Sequence, residues 1–295
     1  MQYYASAIIA KKWQLSERSV RNYCAQGRVP GAILEGKTWL IPEDVEKPTR
    51  AKRTTSRRRT LLKVLQEERI ARLSGGIYHR VQIDLTYNSN HIEGSRLTHE
   101  QTRHIFETNT IGLAKESIPV DDIIETLNHF RCIDLIIDCA QGPLTETLIK
   151  KLHFMLKSGS SDANKTWFAV GNYKKLPNEV GGQETALPEE VPLKMKELLA
   201  DYNAKTHPTL DDLLDFHVEF ERIHPFQDGN GRVGRLILFK ECLKHQIIPF
   251  VITDKLKYFY YRGLQKWPLE CEYLRDTCLA AQDHFRALLD YFRIV

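Results

Sequence analysis

His224-Pro225-Phe226-Gln227-Asp228-Gly229-Asn230-Gly231-Arg232-Val233-Gly234-Arg235 sets an imidazole, an acid, three glycines, an asparagine and two guanidinium groups within twelve residues. Before it, "LDDLLDFHVEFERI" (210–223) spaces apolar residues at three and four, as a helix does. Pro225 must end that helix at or near His224, because it lacks a backbone donor and restricts the residue before it. After it, "RVGRLILFKECLKH" (232–245) reads as the next helix. Gly229 and Gly231 permit positive φ, so the N–H groups of the loop can converge on an anion at the helix N-terminus. Arg232 and Arg235 share one face of the first turn, where cations oppose the helix dipole. A bound polyphosphate accounts for both. Asp228 faces the same anion and needs a cation between them, for which Mg²⁺ is the usual choice. His224, with an ordinary pKa of about 6.5, suits a base that takes a proton from a hydroxyl. The segment therefore predicts a nucleotide polyphosphate with magnesium, attacked by a hydroxyl that His224 deprotonates, with Phe226 as an apolar anchor for the loop.

The same helical spacing recurs outward over 61–73, 120–140, 144–156, 191–203, 258–267 and 274–292, with short Gly, Pro, Asn and Asp breaks between. Within 61–295 only "WFAVGNYKKLPNEVGGQETALP" (167–188) has strand character, and it reads as a hairpin with a loop. The expected fold class is mainly α: a helical bundle over 61–295 with one small β-hairpin. The six cysteines form no CxxC pair and read as reduced thiols. No apolar run approaches the roughly 18–20 residues that span a bilayer. The start lacks the pattern of a signal peptide. A cytoplasmic protein with no membrane partner is expected.

Charge is uneven. Residues 1–60 hold 13 Lys and Arg against 5 Asp and Glu, whereas the remaining 235 hold 29 against 33. The basic end is thus the one expected to meet a polyanion. "SAIIAKKW" and "ERSVRNYCAQ" read as two helices, with Ser16 capping the second, Val20 and Cys24 inward, and Gly27 ending it in αL. "GAILEGKTWLIP" reads as two short strands about Glu35–Gly36. Residues 1–46 thus resemble the winged helix-turn-helix of MerR- and excisionase-type proteins. That resemblance implies DNA contact through Arg18, Arg21 and Asn22 on the second helix and Lys37 at the wing. A helical protein-interaction module is the alternative. Residues 47–60, with seven basic side chains and no apolar face, read as a linker.

The His224–Arg235 segment resembles the signature of the Fic family, with nine positions agreeing, and the likeness extends over roughly 80–270. The resemblance implies His224 as general base and Asp228 as the Mg²⁺ ligand. It implies Gly229, Asn230 and Gly231 as the anion hole, and Arg232 and Arg235 as phosphate holders, with Arg235 nearest the γ-phosphate. Such enzymes typically transfer AMP from ATP to a Ser, Thr or Tyr hydroxyl of a target protein and release pyrophosphate. "NSNHIEGSRL" resembles the family's inhibitory pattern, with Ser89, Glu93 and Gly94 matching. An inhibitory helix is expected near 82–93. Glu93, at a helix C-terminus that disfavours a carboxylate, needs a partner cation. The resemblance names it as Arg235, paired bidentately. It also implies a target-docking flap in the hairpin and an adenine pocket lined by Tyr258 and Tyr261. The target is another protein or the chain itself, and a homodimer is compatible with this reading. A DNA-binding regulator whose Fic domain senses nucleotide is the alternative in another class. Use of another nucleotide, or removal of AMP, are alternatives within the same one.

Overall fold

A computed structural model describes residues 2–36, 38–48, 59–112 and 117–294. It divides into two compact units, 1–57 and 58–295.

In the first unit β1 (Tyr3–Ala5) leads into α1 (Ser6–Trp13) and α2 (Glu17–Ala25), followed by β2 (Ile33–Glu35) and β3 (Thr38–Pro42). Ser16 caps α2 as expected, accepting the Ser19 N–H at 3.3 Å. Val20 and Cys24 face a small core with Ile9, Trp13, Val29 and Ile41. β2 and β3 pair antiparallel about the expected turn. A third strand, β1, was not anticipated; it pairs with the other edge of β3. Three residues are too few to show a period of two. Arg18, Arg21 and Asn22 are exposed on α2, and Lys37 lies outside the described residues. Lys47 Nζ donates to the Trp13 carbonyl at 2.8 Å, so the packed unit reaches residue 47.

The second unit consists of α3 (Leu61–Ala71), α4 (Ile77–Ile92), α5 (His99–Thr108), α6 (Val120–Asp138), α7 (Glu146–Lys157), the hairpin β4 (Glu179–Val180) and β5 (Gln183–Glu184), α8 (Val191–Asn203), α9 (Leu210–Ile223), α10 (Asn230–His245), α11 (Lys257–Lys266) and α12 (Glu272–Tyr291). Thr60, expected in the linker, caps α3 through the Lys63 N–H. Residues 49–58 of that linker lie outside the described residues.

α10 is the central element and packs on α9, α6, α7, α4 and α3. Every residue from Arg232 to Leu243 is buried. A helix enclosed on all sides must satisfy its polar groups internally. Lys240 Nζ accordingly donates to the Gly142 carbonyl at 2.7 Å and to Glu241 Oε1 at 2.5 Å, while Glu241 Oε2 accepts the Tyr202 hydroxyl at 2.8 Å. All six cysteines are free thiols. Among the described residues no helix is long and apolar enough to cross a membrane.

Candidate active site

α9 ends at Ile223, and His224 turns the chain in the left-handed region, φ 51° and ψ 61°. Non-glycine residues pay roughly 1–2 kcal/mol there, so the turn is held by its surroundings. His224 Nδ1 lies 3.3 Å from the Glu221 carbonyl, which can only accept. Nδ1 therefore carries the proton and Nε2 the lone pair. Burial pushes this imidazole down to about 4, below the ordinary value expected from sequence, with Lys174 adding to the effect. It is neutral at pH 7 and ready to accept a proton.

The loop after His224 is pinned from three sides. Phe226 is fully buried and stacks on the His153 ring at 4.0 Å. His153 Nδ1 accepts the Gly171 N–H at 2.9 Å, which leaves Nε2 to donate to the Asp228 carbonyl at 3.1 Å. The Asn230 side chain is bonded back to the loop itself. Its Oδ1 accepts the Phe226 N–H and its Nδ2 donates to the Phe226 carbonyl, both at 2.8 Å. Its backbone N–H lies in the first turn of α10. Asn230→Ala should remove both bonds and strand a buried N–H, at about 2–4 kcal/mol. Urea denaturation should show a lower midpoint with an unchanged slope.

Asp228 sits at the loop's end, before Gly229 (φ 83°), which caps α10. Two side chains bring positive charge to Asp228. Oδ2 accepts Lys157 Nζ at 2.7 Å and Arg232 Nη2 at 3.0 Å. Burial alone would raise this carboxyl, but Arg232 and Lys157 hold it well below the usual range. Arg232 also donates to Glu125, on α6. It is therefore a buried partner of two carboxylates.

Arg235, one turn further along α10, reaches α4. Its Nε donates to Ser89 Oγ at 3.0 Å, and Nη2 donates to the Ser89 carbonyl at 2.9 Å and to Glu93 Oε1 at 2.6 Å. The expected bidentate pair is thus a single bond to Glu93, because Nε is taken by Ser89. α4 begins five residues before the helix expected near 82–93, and Glu93 is its C-cap. Glu93 Oε1 also lies over Gly231, where a Cβ would collide with it. The carboxylate therefore rests on the N-terminal turn of α10, the place most favourable to a negative charge.

Behind Arg235 is a buried group that sequence reasoning missed. Tyr260 is 1% exposed and its hydroxyl meets His217 Nε2 at 2.5 Å. Glu221 lies 3.9 Å from the same nitrogen, and burial pushes its carboxyl up to about 8 despite Arg235. The two tyrosines expected to line a base pocket lie at the surface of α11. Tyr258 and Tyr261 are 71% and 41% exposed, and Tyr260 between them is the buried ring.

The hairpin turns through Gly181 and Gly182, both at positive φ, as a tight two-residue turn requires. It is tied to the His224 loop. Lys174 N–H donates to the Pro225 carbonyl at 2.8 Å, and Asn178 Nδ2 donates to the Phe226 carbonyl at 3.2 Å. Lys174 Nζ is buried among Asn178 Oδ1, Thr185 Oγ1 and the Ile223 carbonyl. Burial pushes that ammonium down to about 8.

A helix, a left-handed histidine, an amide-lined turn and a second helix with two inward arginines stand together over 210–245. Residues 143–241 match the model of the Fic/DOC family. This stretch is thus similar to the Fic/DOC family. The protein adenylyltransferase Fic of Drosophila willistoni is 27% identical over 188 residues, 61% of this chain and 35% of that protein. Its counterpart in Aedes aegypti is 26% identical over 189 residues, 61% of this chain and 36% of that protein. The chain thus spans about a third of the length of these curated relatives. A Fic domain containing signaling protein from Bacteroides thetaiotaomicron has 27% identity and a TM-score of 0.59, over 78% of this chain and 90% of that one. Fic-1 from C. elegans, at 17% identity and a TM-score of 0.62 over 79% of this chain and 72% of that one, shares the fold. The mainly helical architecture with small sheets is thus similar to that of these solved structures.

Proposed function

We propose that this chain transfers AMP from ATP to a hydroxyl side chain of a protein, and that Glu93 holds the activity back. The observation that carries the reading is the neutral His224, with its Nε2 lone pair available, beside the N-terminal turn of α10. A target hydroxyl attacks the α-phosphorus, its proton passes to His224 Nε2, and pyrophosphate leaves with the bonding electrons of the broken P–O bond. The backbone N–H groups at Asn230 and Gly231 and the Arg235 guanidinium are aimed where phosphate charge accumulates. Asp228 fits a metal carried by the triphosphate, since Oδ1 bears no side-chain cation. When bound, such a metal would supply charge neutralisation between carboxylate and phosphate. The insect relatives are named protein adenylyltransferases, which supports AMP over other groups. Intact mass after incubation with ATP, GTP, CTP and UTP separates the nucleotides. A gain of one AMP from ATP supports the reading, and a gain from another nucleotide alone would replace it.

A second role is proposed for the first unit. Arg18, Arg21 and Asn22 lie exposed on α2, opposite Val20 and Cys24, as a helix that enters a major groove would place them. DNA binding should weaken steeply with salt and disappear on deletion of residues 1–60. Retention of binding by the truncated chain would refute this role.

A further inference from the structure

Lys157 is the last residue of α7, and its side chain is 2% exposed. Its ammonium donates to Glu125 Oε1, to Asp162 Oδ2 at 2.8 Å and to Asp228 Oδ2 at 2.7 Å. An ammonium has three donors, and here each meets a different carboxylate. Those three carboxylates come from α6, from the turn after α7 and from the catalytic loop. They offer oxygens within 4.8 Å of one another, close enough to surround a metal ion. Nζ stands where that ion would stand. The second cation, Arg232, bridges two of the same acids, Glu125 and Asp228. The cluster is thus charge-paired by the chain itself, and only Asp228, with half of its side chain exposed, opens toward the loop.

We propose that Lys157 is a positioning residue that fills a three-carboxylate cation site. The protein then takes up no divalent cation without nucleotide, and Asp228 offers one oxygen, Oδ1, to a metal that arrives on the triphosphate. The proposal rests on the nucleotide reading above for its meaning, but its test does not. Replacing Lys157 by Met vacates the centre of the cluster and leaves three carboxylates facing two side-chain cations, Arg232 on Glu125 and Asp228 and Lys165 on the outer oxygen of Asp162. Oxygen donors so arranged favour a divalent ion.

The test is a titration of the nucleotide-free full chain with Mn²⁺, read by water-proton relaxation, with thermal melting in parallel. Lys157→Met should bind Mn²⁺ at least about tenfold more tightly than wild type, and its melting temperature should rise with Mn²⁺ while that of wild type does not. Adding Glu125→Gln to Lys157→Met should abolish the gain. If Lys157→Met does not fold, Lys157→Gln, which keeps a donor for one carboxylate, is titrated in the same way with the same expectation. Equal Mn²⁺ affinity in wild type and the folded variant overturns the proposal. So does saturable Mn²⁺ binding by wild type that Asp162→Asn removes. Because no nucleotide is present, a failure of AMP transfer leaves this result untouched, and a negative Mn²⁺ result leaves the transfer reading standing.

Discussion

Glu93→Gly should incorporate AMP about 10- to 100-fold faster than wild type. Glu93 makes one charge-assisted bond to Arg235 at 2.6 Å and rests over Gly231. A bond of that kind contributes about 1.5–3 kcal/mol, and each 1.4 kcal/mol is a factor of ten. For a triphosphate to use the amides of α10 and the Arg235 guanidinium together, the carboxylate must leave. The substitution should do little else. Ser89 still holds Arg235 through Nε and through its own carbonyl, so the guanidinium stays in place when Glu93 is gone. Glu93 has ordinary backbone angles, φ −86° and ψ 4°, which glycine adopts freely. Labelled AMP on the protein or an added target is the measurement. Equal incorporation by the two proteins would remove Glu93 from any inhibitory role.

His224→Ala, in the Glu93→Gly background, should lower transfer by about 10²–10⁴-fold while ATP affinity changes little. The imidazole is the one group in the loop with an open nitrogen for a proton, and it makes no bond on which the triphosphate seat depends. Alanine is strained in the left-handed region that His224 occupies, so a second variant separates backbone from base. His224→Asn tolerates that region and should lose transfer just as fully. The pH profile gives an independent reading. Burial holds His224 down to about 4, so kcat/KM of the free enzyme should stay level from pH 8 to 6. It should then fall as pH drops through about 4. An acid limb near 6.5 would mean that the base is a solvated imidazole elsewhere.

The helix–loop–helix was legible because its punctuation is local. Pro225 stops α9, Gly229 caps α10, and a single pass along the chain finds both. Glu93 was also legible, since its motif and its need for a cation point to the same arginine. Lys157, Glu125 and Asp162 left no such trace. Glu125 is 107 residues from Arg232, and Lys157 is 71 from Asp228. A lysine ending an amphipathic helix looks like any solvated cation until tertiary packing buries it. The Asn230 side-chain bonds to Phe226 were not read from the sequence, because a polar side chain four residues along a loop has many possible partners. That Tyr260 is the buried ring of α11 was not legible, since the buried face of α11 is set by its packing on α12. There Gly263 lies so close to Leu274 that a Cβ would overlap it. α5 was missed although its capping box, Thr98 with Gln101, is written in the sequence. It is short, and few of its residues are apolar.

The central claim is that one triphosphate occupies the place where Glu93 now rests. A crystal structure of Glu93→Gly with ATP and Mg²⁺ tests it most directly. The γ-phosphate should lie on Arg235 and the N-terminal turn of α10, with His224 Nε2 facing the side of the α-phosphorus opposite the leaving pyrophosphate. A nucleotide bound away from Arg235, or an imidazole turned from the α-phosphorus, would contradict the account.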